Sequence, residues 1–200
     1  QFNNGKYSYS EYDVETLKSI WYENTKLIAA AYKESGDVFG INAFRDFFAL
    51  PVLAGITVDA LKEGLGLKTP IWLYFDGNGY AKPADLSAKA YVIMMKCQIY
   101  TSIIHGATGI LFWNDWSKKP EVFDALLPML EDLNKNVSII KLKTIETKVD
   151  GDLHIMFKQN AKGEKYIIAS NTSKTENIKL NIAKIQKKIL QPLEVYISKI

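Results

Sequence analysis

No stretch of this 200-residue chain constrains its fold as tightly as Pro70 to Trp116. It reads Pro70-Ile-Trp-Leu-Tyr-Phe-Asp76, then Gly77-Asn-Gly79, then a long helical pattern opened by Lys82-Pro83, then Thr108-Gly-Ile-Leu-Phe-Trp113. A strand, a crossover helix and a second strand in that order form the βαβ unit of a parallel sheet. Asp76 closes the first strand; Asn114, Asp115 and Trp116 close the second. In sheets and barrels of this class, ligands and chemistry sit at the carboxyl ends of the strands. Side chains alternate along a strand, so Trp72, Tyr74 and Asp76 share one face and Ile71, Leu73 and Phe75 the other. The first set is amphipathic and ends in a carboxylate, which points it toward a pocket. Gly77 and Gly79, flanking Asn78, permit the positive φ of a tight loop over such a site.

The flanking segments extend the alternation of helix and strand. Asp13 is placed to cap a helix from Val14, with Leu17, Ile20, Trp21, Leu27, Ile28 and Ala31 as its apolar stripe and Gly36 as its stop. Asp37 to Phe44 is a short apolar run expected as a buried strand, with Arg45 at its carboxyl end. Val52 to Leu67 reads as a glycine-interrupted helix. Pro83 at a first helical position and Asp85 in the first turn open the crossover helix. That helix runs to about Ile104, is apolar nearly all round, and is therefore expected to be buried. His105 at its carboxyl end reads as a partner of the helix dipole. Pro120 to Asn136 is a further helix, in which Pro128 predicts a kink.

Beyond Lys141 the period changes to two. Leu153, Ile155 and Phe157 alternate with His154, Met156 and Lys158, which turns His154 toward the surface. Asp150-Gly151 and Lys162-Gly163 are hairpin signals. The charge changes with the pattern: 12 lysines against 6 acidic residues give +6 from Lys141 on, whereas the first 140 residues carry 13 basic and 16 acidic groups, −3. The boundary falls there, between an α/β part (residues 1–140) and an antiparallel β domain (residues 141–200).

A net charge of +3 without an arginine-rich patch gives no sign of a nucleic-acid partner. The most apolar window, Ala90 to Trp113, is interrupted by Lys96, Gln98, His105, Gly106 and Gly109, which suits a buried helix and strand rather than a membrane span. One cysteine and two histidines offer no ligand pair at metal-binding spacing. No G-x-G-x-x-G or G-x-x-x-x-G-K-[ST] run is present, which counts against a nucleotide ligand. No cofactor is implied. Cys97, mid-helix among Met95, Ile99 and Tyr100, reads as a small buried hydrophobe.

The series Asp37-Val-Phe-Gly-Ile-Asn-Ala-Phe44, Pro70-Ile-Trp72, the Pro83-opened helix and His105-Gly-Ala-Thr-Gly-Ile-Leu-Phe-Trp113 resembles the last three strands of a glycoside hydrolase (β/α)8 barrel. Gly163, Tyr166, Ile167 and Asn171-Thr-Ser173 resemble the β-sandwich that commonly follows such barrels. The resemblance implies the last three βα units of a TIM barrel, a partial barrel, with a carboxyl-terminal β-sandwich-like domain. It implies an enzyme that hydrolyses O-glycosyl bonds of a poly- or oligosaccharide, secreted, periplasmic or at the cell surface. Asp76 falls at or beside the nucleophile position on the seventh strand, where a glutamate is usual. Trp113 becomes the sugar-stacking platform, and Phe44 stands where a tyrosine is frequent. Asn42, Arg45, Trp72, Asn78, Asn114, Asp115 and Trp116 would shape the sugar subsite, since such pockets mix aromatic faces with amides and carboxylates. Glycoside hydrolysis needs a second carboxylate, which the resemblance puts on a strand upstream of Gln1, in an amino-terminal barrel half or a partner chain. The alternative is a carbohydrate-binding protein with a degenerate, non-catalytic barrel.

Overall fold

In the computed structural model, which describes residues 13–42, 50–80, 82, 84–113, 119–182 and 188–200, Asp13 opens the first helix, α1 (Val14–Ala31). Its Oδ1 accepts from the Thr16 amide at 2.9 Å, as its position before the helix predicts. The remaining order is β1 (Phe39–Asn42), α2 (Leu53–Leu65), β2 (Ile71–Asp76), α3 (Ala88–His105), β3 (Gly109–Trp113), α4 (Pro120–Ile140), and then six strands. These are β4 (Lys143–Asp150), β5 (Leu153–Gln159), β6 (Lys165–Asn171), β7 (Ile178–Leu180), β8 (Lys188–Leu190) and β9 (Val195–Lys199).

β1, β2 and β3 form a parallel sheet with β2 in the middle. The expected βαβ unit is therefore present, preceded by a second one through α2. Ile71, Leu73 and Phe75 are buried against the helical layer, among them Leu53, Val58 and Leu61 of α2 and Met95, Ile99 and Ile103 of α3. The opposite face carries Trp72 and Tyr74, and β1 and β3 are its two edges.

The β domain is antiparallel, as the period-two pattern requires. Its four-stranded sheet runs β4-β5-β6-β9, and β7 and β8 form a separate two-stranded ribbon. Gly151 and Gly163 occupy the hairpin turns with φ of 57° and 81°. Both faces of its inner strands β5 and β6 are covered, while the edge strand β4 is exposed along its length. Met156 and Ile168 belong to the same core as α3, while Leu153, Ile155, Ile167 and Ala169 pack with Leu180 and Leu190 of the ribbon. His154 is therefore buried, 1% exposed, and not on the surface. Alternation separates two faces, but here neither of them is wet.

Three boundaries move. The crossover helix begins at Ala88, capped by Ser87, whose Oγ accepts from the Ala90 amide at 3.2 Å; residues 84–86 form a turn, and Pro83 lies outside the described residues. α1 ends at Ala31 instead of running to Gly36. α4 continues through Pro128 to Ile140, past Asn136. The stripe assigned to α1 is also displaced. The face that meets α2 is built on Trp21, Thr25 and Ala29, whereas Leu27 is 64% and Ile28 is 47% exposed, with Ile20 and Ala31 exposed beside them. Gly64 of α2 faces this stripe and leaves no room for a side chain between itself and the α1 backbone at Lys26. Trp21 reinforces the contact by donating its indole N–H to Thr57 Oγ1 at 2.8 Å.

A β-carbon on Gly64 would lie 2.5 Å from the Lys26 carbonyl oxygen and 2.6 Å from the Ala29 β-carbon, neither of which can rotate away. Gly64→Ala is expected to lower the unfolding free energy by about 1–3 kcal/mol through overpacking. An exposed helical glycine would instead gain about 1 kcal/mol on the same change. Urea unfolding distinguishes the two signs.

Candidate functional site

The register of the parallel sheet sets its residues in rows across the strands. Gly40, Trp72 and Gly109 form the first, Asn42, Tyr74 and Leu111 the second, and Asp76 and Trp113 the third, at the carboxyl ends. Neighbouring strands lie about 4.8 Å apart, so Asp76 and Trp113 adjoin each other at the rim as the strand pattern predicts. The aromatics of the lower rows use the glycines beside them. A β-carbon at Gly109 would fall 2.4 Å from Trp72 Cδ1, and one at Gly40 would fall 2.9 Å from Tyr74 Cε2. Trp72 thus lies across β3 and Tyr74 across β1, each over a strand glycine.

Of the predicted rim residues, Trp113 is 57% exposed, Trp72 is 40% exposed, and Asn42 is exposed at the end of β1. Tyr80, which the sequence reading passed over, is exposed just beyond the β2 loop. Phe44, Arg45, Asn114, Asp115 and Trp116 lie outside the described residues.

Asp76 and Asn78 are placed differently from the rest. Asp76 is 1% exposed. Its Oδ2 accepts from the Tyr91 hydroxyl at 2.6 Å, and its Oδ1 accepts from the Asn78 amide at 3.1 Å. The second bond is an Asx turn that folds the chain back at Gly77. Burial first, and then the adjoining carboxylate, push the Tyr91 phenol far above its ordinary range, so it remains a donor to Asp76. Gly79 supplies the positive φ, 67°, expected of this loop. Its carbonyl accepts from Lys119 Nζ at 2.7 Å, which ties the loop to the start of α4. Asn78 is buried within the same turn. Chemically, the arrangement offers exposed indole faces and an amide at the rim, backed by a carboxylate committed to holding the loop. Tyr91 was beyond reach from sequence, because no local pattern announces a bond between residues 15 apart on different elements.

A second polar cluster lies at the opposite end of α3. His105 Nδ1 is 2.7 Å from Asp59 Oδ2 on α2, and His105 Nε2 is 2.8 Å from His154 Nδ1 on β5. His154 Nε2 faces Thr172 Oγ1 at 3.4 Å, and Thr172 Oγ1 donates to Asp152 Oδ1 at 2.9 Å. The expected complement of the helix dipole is therefore one link of a buried chain. Gly55 makes room for it, since a β-carbon there would fall 2.6 Å from the His105 ring. Burial, with His105 and Lys18 nearby, pushes the His154 imidazole down to about 3.

Cys97 is buried as expected and directs its thiol to the Asn171 carbonyl at 3.3 Å; burial raises its pKa to about 12, so it is held as the inert thiol. Among the described residues no helix is long and apolar enough to cross a membrane. No family model matches the chain, and no curated protein matches it in sequence.

Tyr91→Phe would leave Asp76 Oδ2 buried without that donor, and is expected to cost about 1–3 kcal/mol in chemical denaturation. The pH dependence has a definite sign. His154 is neutral in the fold down to about pH 3, whereas a free imidazole titrates near 6.5. Stability from this residue is complete above about pH 6.5 and is lost as the pH falls. Between pH 7 and pH 5 the loss is about 2 kcal/mol. Urea midpoints at the two values should converge in His154→Gln by that amount relative to the unmodified chain.

Proposed function

We propose that this chain is the carboxyl-terminal portion of a glycoside hydrolase acting on a poly- or oligosaccharide. The observation that carries the reading is the placement of Trp113, broadly exposed at a strand end, directly beside Asp76 on the neighbouring parallel strand. An exposed indole at such a rim suits the apolar face of a pyranose, and the Asn42 amide can hydrogen-bond its hydroxyls. Phe44, Arg45, Asn114, Asp115 and Trp116 belong to the same proposed subsite.

The partial barrel is part of this reading. Two features support it: the parallel sheet has an unpaired edge on each side among the described residues, and α1 turns a second apolar face, Ile20, Leu27 and Ile28, to solvent. Further parallel strands with their helices would cover all three, whether from an amino-terminal barrel half or from a partner chain. The general acid belongs to that half. Residence outside the cytoplasm accompanies the reading.

One observation favours a second reading. The Asp76 carboxylate is enclosed, with an oxygen on each of two hydrogen bonds, which suits a loop anchor better than a nucleophile. A glycan-binding protein with a degenerate barrel accommodates this directly.

Two measurements test the proposal. Calorimetric titration with a panel of oligosaccharides should show binding that Trp113→Ala weakens by about three- to tenfold, the order of one aromatic contact; equal binding by the variant removes the platform. Asp76→Asn, made in the chain assembled with the half that carries the general acid, then separates the readings: abolished hydrolysis with retained binding supports the enzyme, and unchanged binding without any hydrolysis by either assembled form supports the binding protein. Light scattering addresses the barrel: the open edges predict self-association or capture of a further chain, and a monodisperse monomer of 22.6 kDa at high concentration would count against it.

A further inference from the structure

The chain from Asp59 through His105, His154 and Thr172 to Asp152 contains four links. Each link needs one proton. With both imidazoles neutral, the two rings and the threonine hydroxyl supply only three. One link is then left with two facing lone pairs. A single added proton completes the set. His105 donates through Nδ1–H to Asp59 and through Nε2–H to His154 Nδ1; His154 donates through Nε2–H to Thr172, and Thr172 donates to Asp152. A second added proton would set N–H against N–H between the rings.

We propose that the His105–His154 pair is a one-proton switch, and that the proton it takes up clamps the four-stranded sheet onto α3. The links join α2, α3, β5 and the segment after β6, so the cluster spans the seam between the α/β part and the β domain. Beside it, Thr101 Oγ1 and Ser170 Oγ are 2.8 Å apart across the same seam.

The charged groups around the pair favour one proton and oppose two. Asp59 of α2 and Asp152 of the β4–β5 turn close the two ends. Lys62 of α2 donates to the His105 carbonyl oxygen, and Lys18 of α1 acts on His154. Asp59 also gives the proton a route, because its side chain is 47% exposed and borders an open cleft of about 410 Å³ with Lys62, Glu63, Gly66 and Leu67. His154, at the inner end, has no such opening.

The test is a nitrogen-detected NMR titration of the two rings in the unmodified chain between pH 4 and pH 9, with amide exchange at matched pH values. The pair should gain one proton in a single step reported by both rings, with His154 carrying its proton on Nε2 in the acidic form. Once the change in global stability over the same pH range is subtracted, protection factors for β5 and β6 amides should fall about fivefold when that proton leaves, the equivalent of one hydrogen bond. The fall should vanish in His105→Gln and in Asp59→Asn. Two independent ring titrations, a pair that gains two protons within this range, or protection factors that do not follow the ring step would each overturn the proposal. The titration of the unmodified chain decides the matter even where a variant does not fold.

Discussion

The structure depends on α3 being wanted by two sheets at once. Tyr91, Met95 and Ile99 lie in the core that includes Ile71, Leu73 and Phe75 of the parallel sheet, and the same core takes in Met156 and Ile168 of the antiparallel one. A helix apolar on nearly all sides needs cover on nearly all sides; along it only Lys89, in the first turn, and Ile93 are exposed. Polar bonds fix its orientation within that cover. Tyr91 anchors its first turn to the end of β2, Lys96 and Tyr100 reach Asp132 of α4, and His105 reaches both Asp59 and His154. Remove the helix and neither sheet retains a core on that side.

This arrangement explains which features were legible in the sequence. The βαβ unit, the antiparallel strands beyond Lys141 and the hairpin glycines were readable because each follows from a short-range pattern: strand, helix and strand in order, a period of two, a positive φ. The position of Asp76 beside Trp113 was readable for the same reason, since parallel strands joined by a crossover helix bring their ends to one edge. The direction of the Asp76 carboxylate was not readable, because it is set by Tyr91, which reaches it only once α3 is seated. His154 shows the same limit from the other side. Period-two alternation places it opposite Leu153 and Ile155, but only the docking of α3 decides that its own face is dry.

The phase of α1 is a case of a pattern with two solutions. Trp21, Thr25 and Ala29 make one stripe, and Ile20, Leu27, Ile28 and Ala31 make another, each at helical spacing. Hydrophobicity alone joins Leu17 and Trp21 to the second, which is richer in large aliphatic residues. The structure uses the first because Gly64 on α2 permits backbone approach there, and two small residues in register, Gly64 and Ala29, bring the helices closer than Leu27 and Ile28 would allow. The richer stripe is left facing outward.

That outcome separates two kinds of boundary. At the seam between the two parts of the chain, apolar packing is continuous and polar groups pass hydrogen bonds from one element to the next. Away from that seam, the aromatic faces of the parallel sheet, its two strand edges and the second stripe of α1 meet solvent. Scattered apolar residues on a surface need no explanation, but apolar groups that adjoin unpaired strand edges do. A partner that supplied only backbone would satisfy the edges and leave Leu27 and Ile28 uncovered, and one that supplied only an apolar patch would do the reverse. What would cover both is more of the same architecture, strand and helix in alternation, which is what the proposed partial barrel requires on the open side and the sealed side does not need.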